Sequence, residues 1–155
     1  MILEELQKLV NEVTRPLLGR NLDAKVETWL NDELPPASAT YRGLFDTCRA
    51  AAAAGLICNR EAGGIKFGRV IKPSDATYGF SVDVVEMEDI VGPHHVHPNG
   101  EIDLIMPLSP NATFDGHHAG WCVYAPGSAH SPTVSNGRAY VLYLLPGGAI
   151  EFTKT

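Results

Sequence analysis

The chain has 155 residues, of which 45% are hydrophobic, and its formal net charge is -6. This length and apolar content suffice for one ordinary domain with its own core, so a single domain over residues 1–155 is expected. The acidic balance and the lack of a Lys/Arg cluster argue against a nucleic-acid partner, because binding to a phosphate backbone needs a basic surface.

The cysteines and the N-terminus bear on location. Cys48, Cys58 and Cys122 are odd in number, far apart and set among apolar residues. This pattern is typical of buried thiols in a reducing compartment rather than of a disulfide framework. The chain begins with an acidic amphipathic pattern instead of an export leader, and no apolar run approaches the length that spans a bilayer. A cytoplasmic protein without a membrane partner is expected.

The first third of the chain is predicted to be helical. Apolar residues recur at three- and four-residue steps over residues 2–18, which is the period of one helix face. A second helix is predicted over residues 23–31 and a third from an N-cap at Thr40 to Gly55. This helical segment, residues 1–58, is expected to pack on the rest of the fold.

The pattern then changes to short β-type runs separated by Gly, Pro, Asn and Asp turns. Nine short strands at this spacing are typical of a sandwich or barrel, which is expected over residues 63–155. The predicted strands comprise residues 65–71, 78–86, 94–97, 101–107, 112–114, 120–125, 129–134, 138–145 and 149–153.

Three histidines and a glutamate lie within ten residues, 92–101, that read GPHHVHPNGE. His95 and His97 are two apart, so on a strand their side chains point to one face and His94 to the other. After a Pro-Asn-Gly turn, Glu101 is predicted to return on the next strand to the face of His95 and His97. One hairpin would then supply three convergent ligands.

A second stretch, residues 120–130 with the sequence GWCVYAPGSAH, supplies a fourth candidate. An apolar strand meets a Pro-Gly turn there, and His130 opens the following strand. Three imidazoles and one carboxylate suit Fe(II), Mn, Ni or Zn and leave coordination positions for water or substrate. A divalent metal ion is therefore predicted on His95, His97, Glu101 and His130, with its identity left open.

The two stretches resemble the two motifs of the cupin superfamily, the first at residues 95–101 and the second at residues 126–130. The resemblance implies a mainly β, cupin-like jelly-roll barrel with the metal on three His and one Glu at its mouth. The chain departs from the motifs at turn positions, where Asp89, Leu108 and Val134 stand in place of the usual Gly, Gly and Asn. These departures concern strand boundaries rather than ligands.

Further residues are candidates for catalysis. His94 is expected at the surface or behind the ligands, and His117 and His118 follow an Asp-Gly turn that is typical of an exposed hairpin tip. Any of the three is a candidate general acid or base. A carboxylate substrate needs a cation, and Arg69 is the preferred one because a guanidinium binds a carboxylate through two hydrogen bonds. Aromatic residues that face the lumen would wall an aromatic substrate, the candidates being Trp121, Tyr124, Tyr140 and Tyr143.

Beyond the superfamily, the chain resembles the 4-hydroxylaminobenzoate lyase family. The resemblance rests on the helical N-terminus and on the stretches HHVHPNGEID at 94–103, APGSAHSPTV at 125–134 and YLLPGG at 143–148. It implies a carbon-nitrogen lyase that converts 4-hydroxylaminobenzoate, a small aromatic carboxylate, to 3,4-dihydroxybenzoate and ammonia in bacterial nitroaromatic breakdown.

Two other functions remain open on the residues alone. The same ligand set binds O2 in non-haem metal dioxygenases, and a barrel of this kind can bind small molecules without turnover because fold does not dictate function. Oxygen consumption would distinguish the dioxygenase, and ligand binding without turnover would distinguish the binding protein. The amphipathic helices are expected to cover a sheet edge or to join a twofold partner in a homodimer.

Overall fold

This computed structural model describes residues 1–153 of the chain, which contain three α-helices and ten strands. The helices are α1 (Ile2–Thr14), α2 (Ala24–Glu33) and α3 (Ala39–Ala53). The strands are β1 (Arg60–Ala62), β2 (Ile65–Ile71), β3 (Phe80–Val91), β4 (His95–His97), β5 (Glu101–Pro107), β6 (Thr113–Phe114), β7 (Gly120–Tyr124), β8 (Ser128–His130), β9 (Thr133–Pro146) and β10 (Glu151–Phe152).

The helix ends differ from the predicted ones for local reasons. Helix α1 stops at Thr14 and passes into a 3₁₀ turn that contains Pro16, because proline lacks the N–H that would continue the helix. The N-cap of α3 is Ser38 and not Thr40, since the Ser38 side chain accepts a hydrogen bond from the backbone N–H of Tyr41 at 3.2 Å. Thr40 instead donates its hydroxyl to Glu12 at 3.1 Å.

The strands form two antiparallel sheets. The larger one has the order β1-β2-β3-β9-β5-β7, with β6 also paired to β9, and the smaller one has the order β10-β4-β8. Strands β4 and β8 place their histidines against Glu101 of the larger sheet, so the two sheets face each other around the site. The predicted mainly β, cupin-like barrel with an N-terminal helical segment is confirmed.

One long strand replaces two predicted ones near the C-terminus. Residues 133–146 form β9 without a break, and the predicted turn at Asn136 and Gly137 is an irregularity in its pairing with β3. Asp89 lies opposite, at a φ of 42°, in the left-handed region that favours glycine, and its carboxylate accepts the N–H of Gly137 at 3.1 Å. Asp89, which stands where the motif usually has glycine, therefore lies at a bulge in β3.

The two faces of the larger sheet have different partners. Residues such as Val84, Leu104 and Leu142 pack beneath the helices, whereas their strand neighbours, among them Val85 and Ile105, line the barrel interior. The helices cover the outer face and leave the inner face to the site. None of the helices within residues 1–153 is long and apolar enough to cross a membrane.

Buried thiols and phenols make the stability of this fold sensitive to alkaline pH. Burial, with a smaller contribution from Cys58, raises the pKa of Cys48 to about 12, and burial also raises the pKa of Tyr41, whose hydroxyl donates to the carbonyl of Ile105 at 2.6 Å. The unfolded chain releases these protons at lower pH than the native state does. The protonated thiol and phenol therefore stabilise the native state fully at a pH below the pKa that these groups have in the unfolded chain. This contribution to the free energy of unfolding falls as the pH rises towards their pKa in the folded state, by about 1.4 kcal/mol per pH unit for each group.

We accordingly expect the urea midpoint to fall between pH 8 and pH 10.5. In Cys48→Ala the free energy of unfolding should be lower at pH 8, because the smaller side chain leaves a cavity in the core. Its decrease with rising pH should be less steep, because unfolding of this variant releases one proton fewer. Equal slopes for the two proteins would contradict the assignment of a buried, protonated thiol.

Candidate metal centre

The candidate ligands come from both sheets, and not from one hairpin as the sequence predicted. Strand β4 pairs with β8 and β10, while β5 pairs with β7 and β9. Between them the chain turns a corner at Gly100, whose φ is 86° and where an added Cβ would lie 2.8 Å from the carbonyl oxygen of Tyr124. Because of this corner, Glu101 faces His95 and His97 from the opposite sheet.

The four side chains converge on one point. One donor atom from each of His95, His97, Glu101 and His130 lies within 4.8 Å of the others. The Glu101 carboxylate is 3.2 Å from Nε2 of His97 and 3.7 Å from Nε2 of both His95 and His130. Nε2 of His95 lies 3.2 Å from Nε2 of His130, its cross-strand partner. The predicted clustering of the four residues is therefore present.

The hydrogen bonds behind the histidines indicate the tautomers. Nδ1 of His95 lies 3.2 Å from the carbonyl of Pro93, which can only accept, so Nδ1 carries the proton. Ser128 uses its own O–H on the carbonyl of Ala125 at 2.6 Å, which leaves its Oγ to accept from Nδ1 of His97 at 3.1 Å. With Nδ1 protonated, each Nε2 presents a lone pair towards Glu101.

Several of these inward-facing atoms have no partner within the described chain. Nε2 of His97 and both carboxylate oxygens of Glu101 are buried without a hydrogen bond. Burial opposes ionisation of Glu101, whereas hydrogen bonds donated by Nε2 of His95 and His97, in the state in which these rings are protonated, lower the pKa of Glu101 to about 2. A buried anion among lone pairs is stabilised when a cation lies between them, so these donors fit a divalent metal ion.

Asp115 orients His130 and was not predicted. It lies in the turn between β6 and β7 at a φ of 49°, and its Oδ2 accepts hydrogen bonds from Nδ1 of His130 and from the Tyr124 hydroxyl, both at 2.5 Å. Its Oδ1 accepts from the N–H of Thr133 at 2.9 Å. Burial raises the pKa of Asp115, but these hydrogen bonds lower it further than burial raises it. The Asp-Gly pair predicted the turn, but nothing in the sequence placed this carboxylate behind His130.

Asp103 is a second interior carboxylate that the sequence did not single out. It is fully buried two residues after Glu101, on the same strand face, and neither of its oxygens has a hydrogen bond within the described chain. Burial and the negative charge of Glu101 raise the pKa of Asp103 well above its ordinary value. The interior thus accommodates the charge of Glu101 more readily than that of Asp103.

The three candidate proton donors lie outside the barrel interior. His94 points away from the ligands and its Nδ1 is 2.5 Å from the Thr153 hydroxyl, as strand alternation predicts. His117 and His118 are exposed at the hairpin tip, where they were expected. The catalytic role of each of these histidines stays a prediction.

A cavity of about 510 Å³ adjoins the candidate metal centre through His95. Tyr143 lines it with its ring centroid 6.4 Å from that of His95, and Tyr124 packs on His97 and His130. Trp121 and Tyr140 instead pack under the helices. The walls are mainly apolar and include Ile65, Phe67, Val85, Met87, Ile150 and Phe152.

Arg69, the predicted carboxylate-binding residue, also lines this cavity. Its Nε and Nη2 donate to the two carboxylate oxygens of Asp83 at 2.9 and 3.2 Å, and Nη2 also donates to the carbonyl of Gly148 at 3.1 Å. Burial raises the pKa of Asp83, and the guanidinium opposes this shift. The two N–H donors with which Arg69 could bind a substrate carboxylate are thus already bound to the carboxylate of Asp83.

Comparison with known proteins places this chain in a family. Residues 8–152 match the family described as PnbB, 4-hydroxylaminobenzoate lyase. Two proteins of that name are each 30% identical: one from Pseudomonas putida, over 96% of this chain and 94% of its own length, and one from Nocardioides sp. (strain LMS-CY), over 94% and 89%.

The solved structures that the comparison found are less similar in sequence. The DMSP lyase DddQ from Ruegeria pomeroyi DSS-3 is 19% identical, with a TM-score of 0.46 over 97% of this chain and 96% of that one. An RmlC-like cupin protein from Ralstonia eutropha JMP134 is 13% identical, with a TM-score of 0.39 over 59% and 57%. The family match extends over residues 8–152 and includes all four clustered residues. The chain therefore belongs to the 4-hydroxylaminobenzoate lyase family.

Proposed function

We propose that this protein converts 4-hydroxylaminobenzoate and water to 3,4-dihydroxybenzoate and ammonia in the breakdown of nitroaromatic compounds. The observation that carries the proposal is the family match over residues 8–152. The reaction consumes one water and releases one ammonia, and cleavage of the substrate N–O bond supplies the oxidising equivalents for the second ring hydroxyl. No external oxidant is needed.

We further propose that His95, His97, Glu101 and His130 hold a divalent metal ion, with Fe, Mn, Ni and Zn as the candidates. The unpartnered Nε2 and carboxylate atoms support this ligand set. Such an ion supplies Lewis acidity when it is bound.

The residues of the cavity have roles that follow from their chemistry. Its apolar walls, with Phe67 and Phe152 among them, suit an aromatic ring and exclude bulk water from it. His95 borders both the cavity and the ligand cluster, which favours the hydroxylamino end of the substrate on that side. Asp115 accepts the Nδ1 proton of His130 and so keeps the lone pair of His130 on Nε2.

The remaining sequence-based proposals concern proton transfer, carboxylate binding and assembly. N–O cleavage needs a proton at the leaving hydroxyl, for which His94, His117 and His118 remain candidates, and Arg69 remains a candidate for the substrate carboxylate. We also propose a single-domain, cytoplasmic protein that forms a homodimer. Residues 154 and 155, included in the predicted domain, lie outside the described residues.

An anaerobic assay tests this function directly. Purified protein is analysed for metals and then incubated with 4-hydroxylaminobenzoate in the absence of oxygen. We expect 3,4-dihydroxybenzoate and ammonia in equal amounts, at the same rate as in air. Product formation only with oxygen would point to a dioxygenase, and an inactive metal-loaded protein that binds the substrate would point to a binding protein. Either result would contradict the proposal.

A further inference from the structure

Three residues that carry a full charge at neutral pH line the cavity, apart from the metal ligand His95. They are Arg60, Arg69 and Asp83, two cations and one anion, so their summed charge is +1. The rest of the lining is almost entirely apolar. An uncompensated positive charge beside an apolar cavity favours a ligand with one negative charge and an apolar body.

Arg69 does not supply the uncompensated charge. Its Nε and Nη2 bind both oxygens of Asp83, and its side chain is 37% exposed while that of Asp83 is only 16% exposed. Gly148 fixes the arrangement further, since an added Cβ at this position would lie 2.7 Å from Nη1 of Arg69. A substrate carboxylate that displaced Asp83 would leave a mostly buried anion without a partner, which is costly.

Arg60 is the cation that remains. No carboxylate of residues 1–153 forms a salt bridge with it, and its side chain makes no hydrogen bond within the same residues. It lies on the edge strand β1 directly opposite Phe67 of β2, so both side chains extend from the same face of the sheet, and both line the cavity. An aromatic carboxylate whose ring packs on Phe67 therefore has a free guanidinium beside its charged end.

We propose that Arg60 binds the carboxylate of the substrate and sets the specificity for benzoates, while the Arg69–Asp83 pair forms a neutral wall of the cavity. This inference rests on the function proposed above and assigns its carboxylate subsite to a different residue from the one that the sequence suggested. The carboxylate lies at the Arg60 end, and the para substituent extends towards His95. Because Arg60 is exposed, solvent screens its charge, and the contribution to binding is moderate.

The test compares ligands with and without the charge. Binding of 4-hydroxybenzoate and of 4-hydroxybenzamide to the metal-loaded protein is measured by calorimetry for the wild type, Arg60→Gln, Arg69→Gln and Arg138→Gln. We expect the wild type to prefer the benzoate and Arg60→Gln to lose about tenfold of that preference. Arg138→Gln, an exposed arginine on β9 outside the cavity lining, serves as the matched control and should keep the preference.

The same comparison applies to turnover, with 4-hydroxylaminobenzoate and phenylhydroxylamine as substrates. Arg60→Gln should lower kcat/KM about tenfold for the benzoate and leave that for phenylhydroxylamine unchanged. The inference is overturned if Arg60→Gln keeps the wild-type preference, or if only Arg69→Gln loses it. If no variant turns over either substrate but the preference in binding depends on Arg60, the proposed function fails and the carboxylate subsite stands.

Discussion

Replacing Glu101 by Gln is expected to lower kcat/KM by about 10³-fold or more, because it removes the negative charge from the proposed metal centre. Loss of a several-kcal/mol contribution corresponds to a rate change of this order. The Glu101 carboxylate lies within 3.7 Å of Nε2 of three histidines, and neither of its oxygens has a hydrogen bond in the described chain. Glutamine keeps the shape of the side chain, so the effect isolates the charge.

Metal-dependent stability provides a second readout of the same substitution. A metal ion at 1,000 times its Kd stabilises the native state by about 4 kcal/mol, so wild-type Tm should rise on adding metal. In Glu101→Gln this rise should largely disappear, because one of the proposed ligands has lost its charge. Glu88→Gln, exposed on β3, is the control. An unchanged Tm response in Glu101→Gln would contradict the assignment of the metal ligands.

The substitution Asp115→Asn is expected to weaken metal binding and turnover by about 10- to 100-fold. The carboxylate accepts the Nδ1 proton of His130 at 2.5 Å, which fixes the tautomer and orientation of this ligand. Asparagine tolerates the φ of 49° at this turn, so the backbone is retained while the charge is lost. Metal affinity is measured by competition with a chelator, and turnover by product formation.

Two further variants separate the Asp115–His130 contact from the other interactions of this turn. Tyr124→Phe removes one hydrogen bond to Oδ2 of Asp115 but keeps the one from His130, and its effect should be clearly smaller. Asp46→Asn, with an exposed side chain on α3, is the neutral control. If Asp115→Asn bound metal as tightly as the wild type, the role of Asp115 in orienting His130 would be wrong.

Local patterns in the sequence were sufficient to predict the clustering of the four candidate ligands. His95 and His97 share a strand face because side chains alternate with a period of two, and this alternation holds whichever strand is paired with β4. The same alternation directs His94 away from the cluster, where it contacts Thr153. The apolar period of the N-terminus and its caps likewise predicted helices, with errors of a few residues at their ends.

Strand pairing and charge compensation were decided by the tertiary structure. The predicted hairpin of β4 and β5 is wrong because Gly100 turns the chain from one sheet to the other. No local sequence pattern marks Asp115 as the partner of His130 or Arg60 as a residue of the cavity, since both roles depend on the groups that lie beside them after folding. Arg69 stood out in an apolar strand, but its partner Asp83 comes from β3, fourteen residues further along the chain.

The sequence by itself therefore indicated the four residues that cluster and the strands that carry them, because strand alternation and turn signals are short-range features. Only the tertiary structure decided which sheet each ligand comes from, which carboxylate orients His130, and which arginine keeps a charge free for a ligand. These features depend on the pairing of residues that are distant in sequence, and the backbone register between strands sets that pairing.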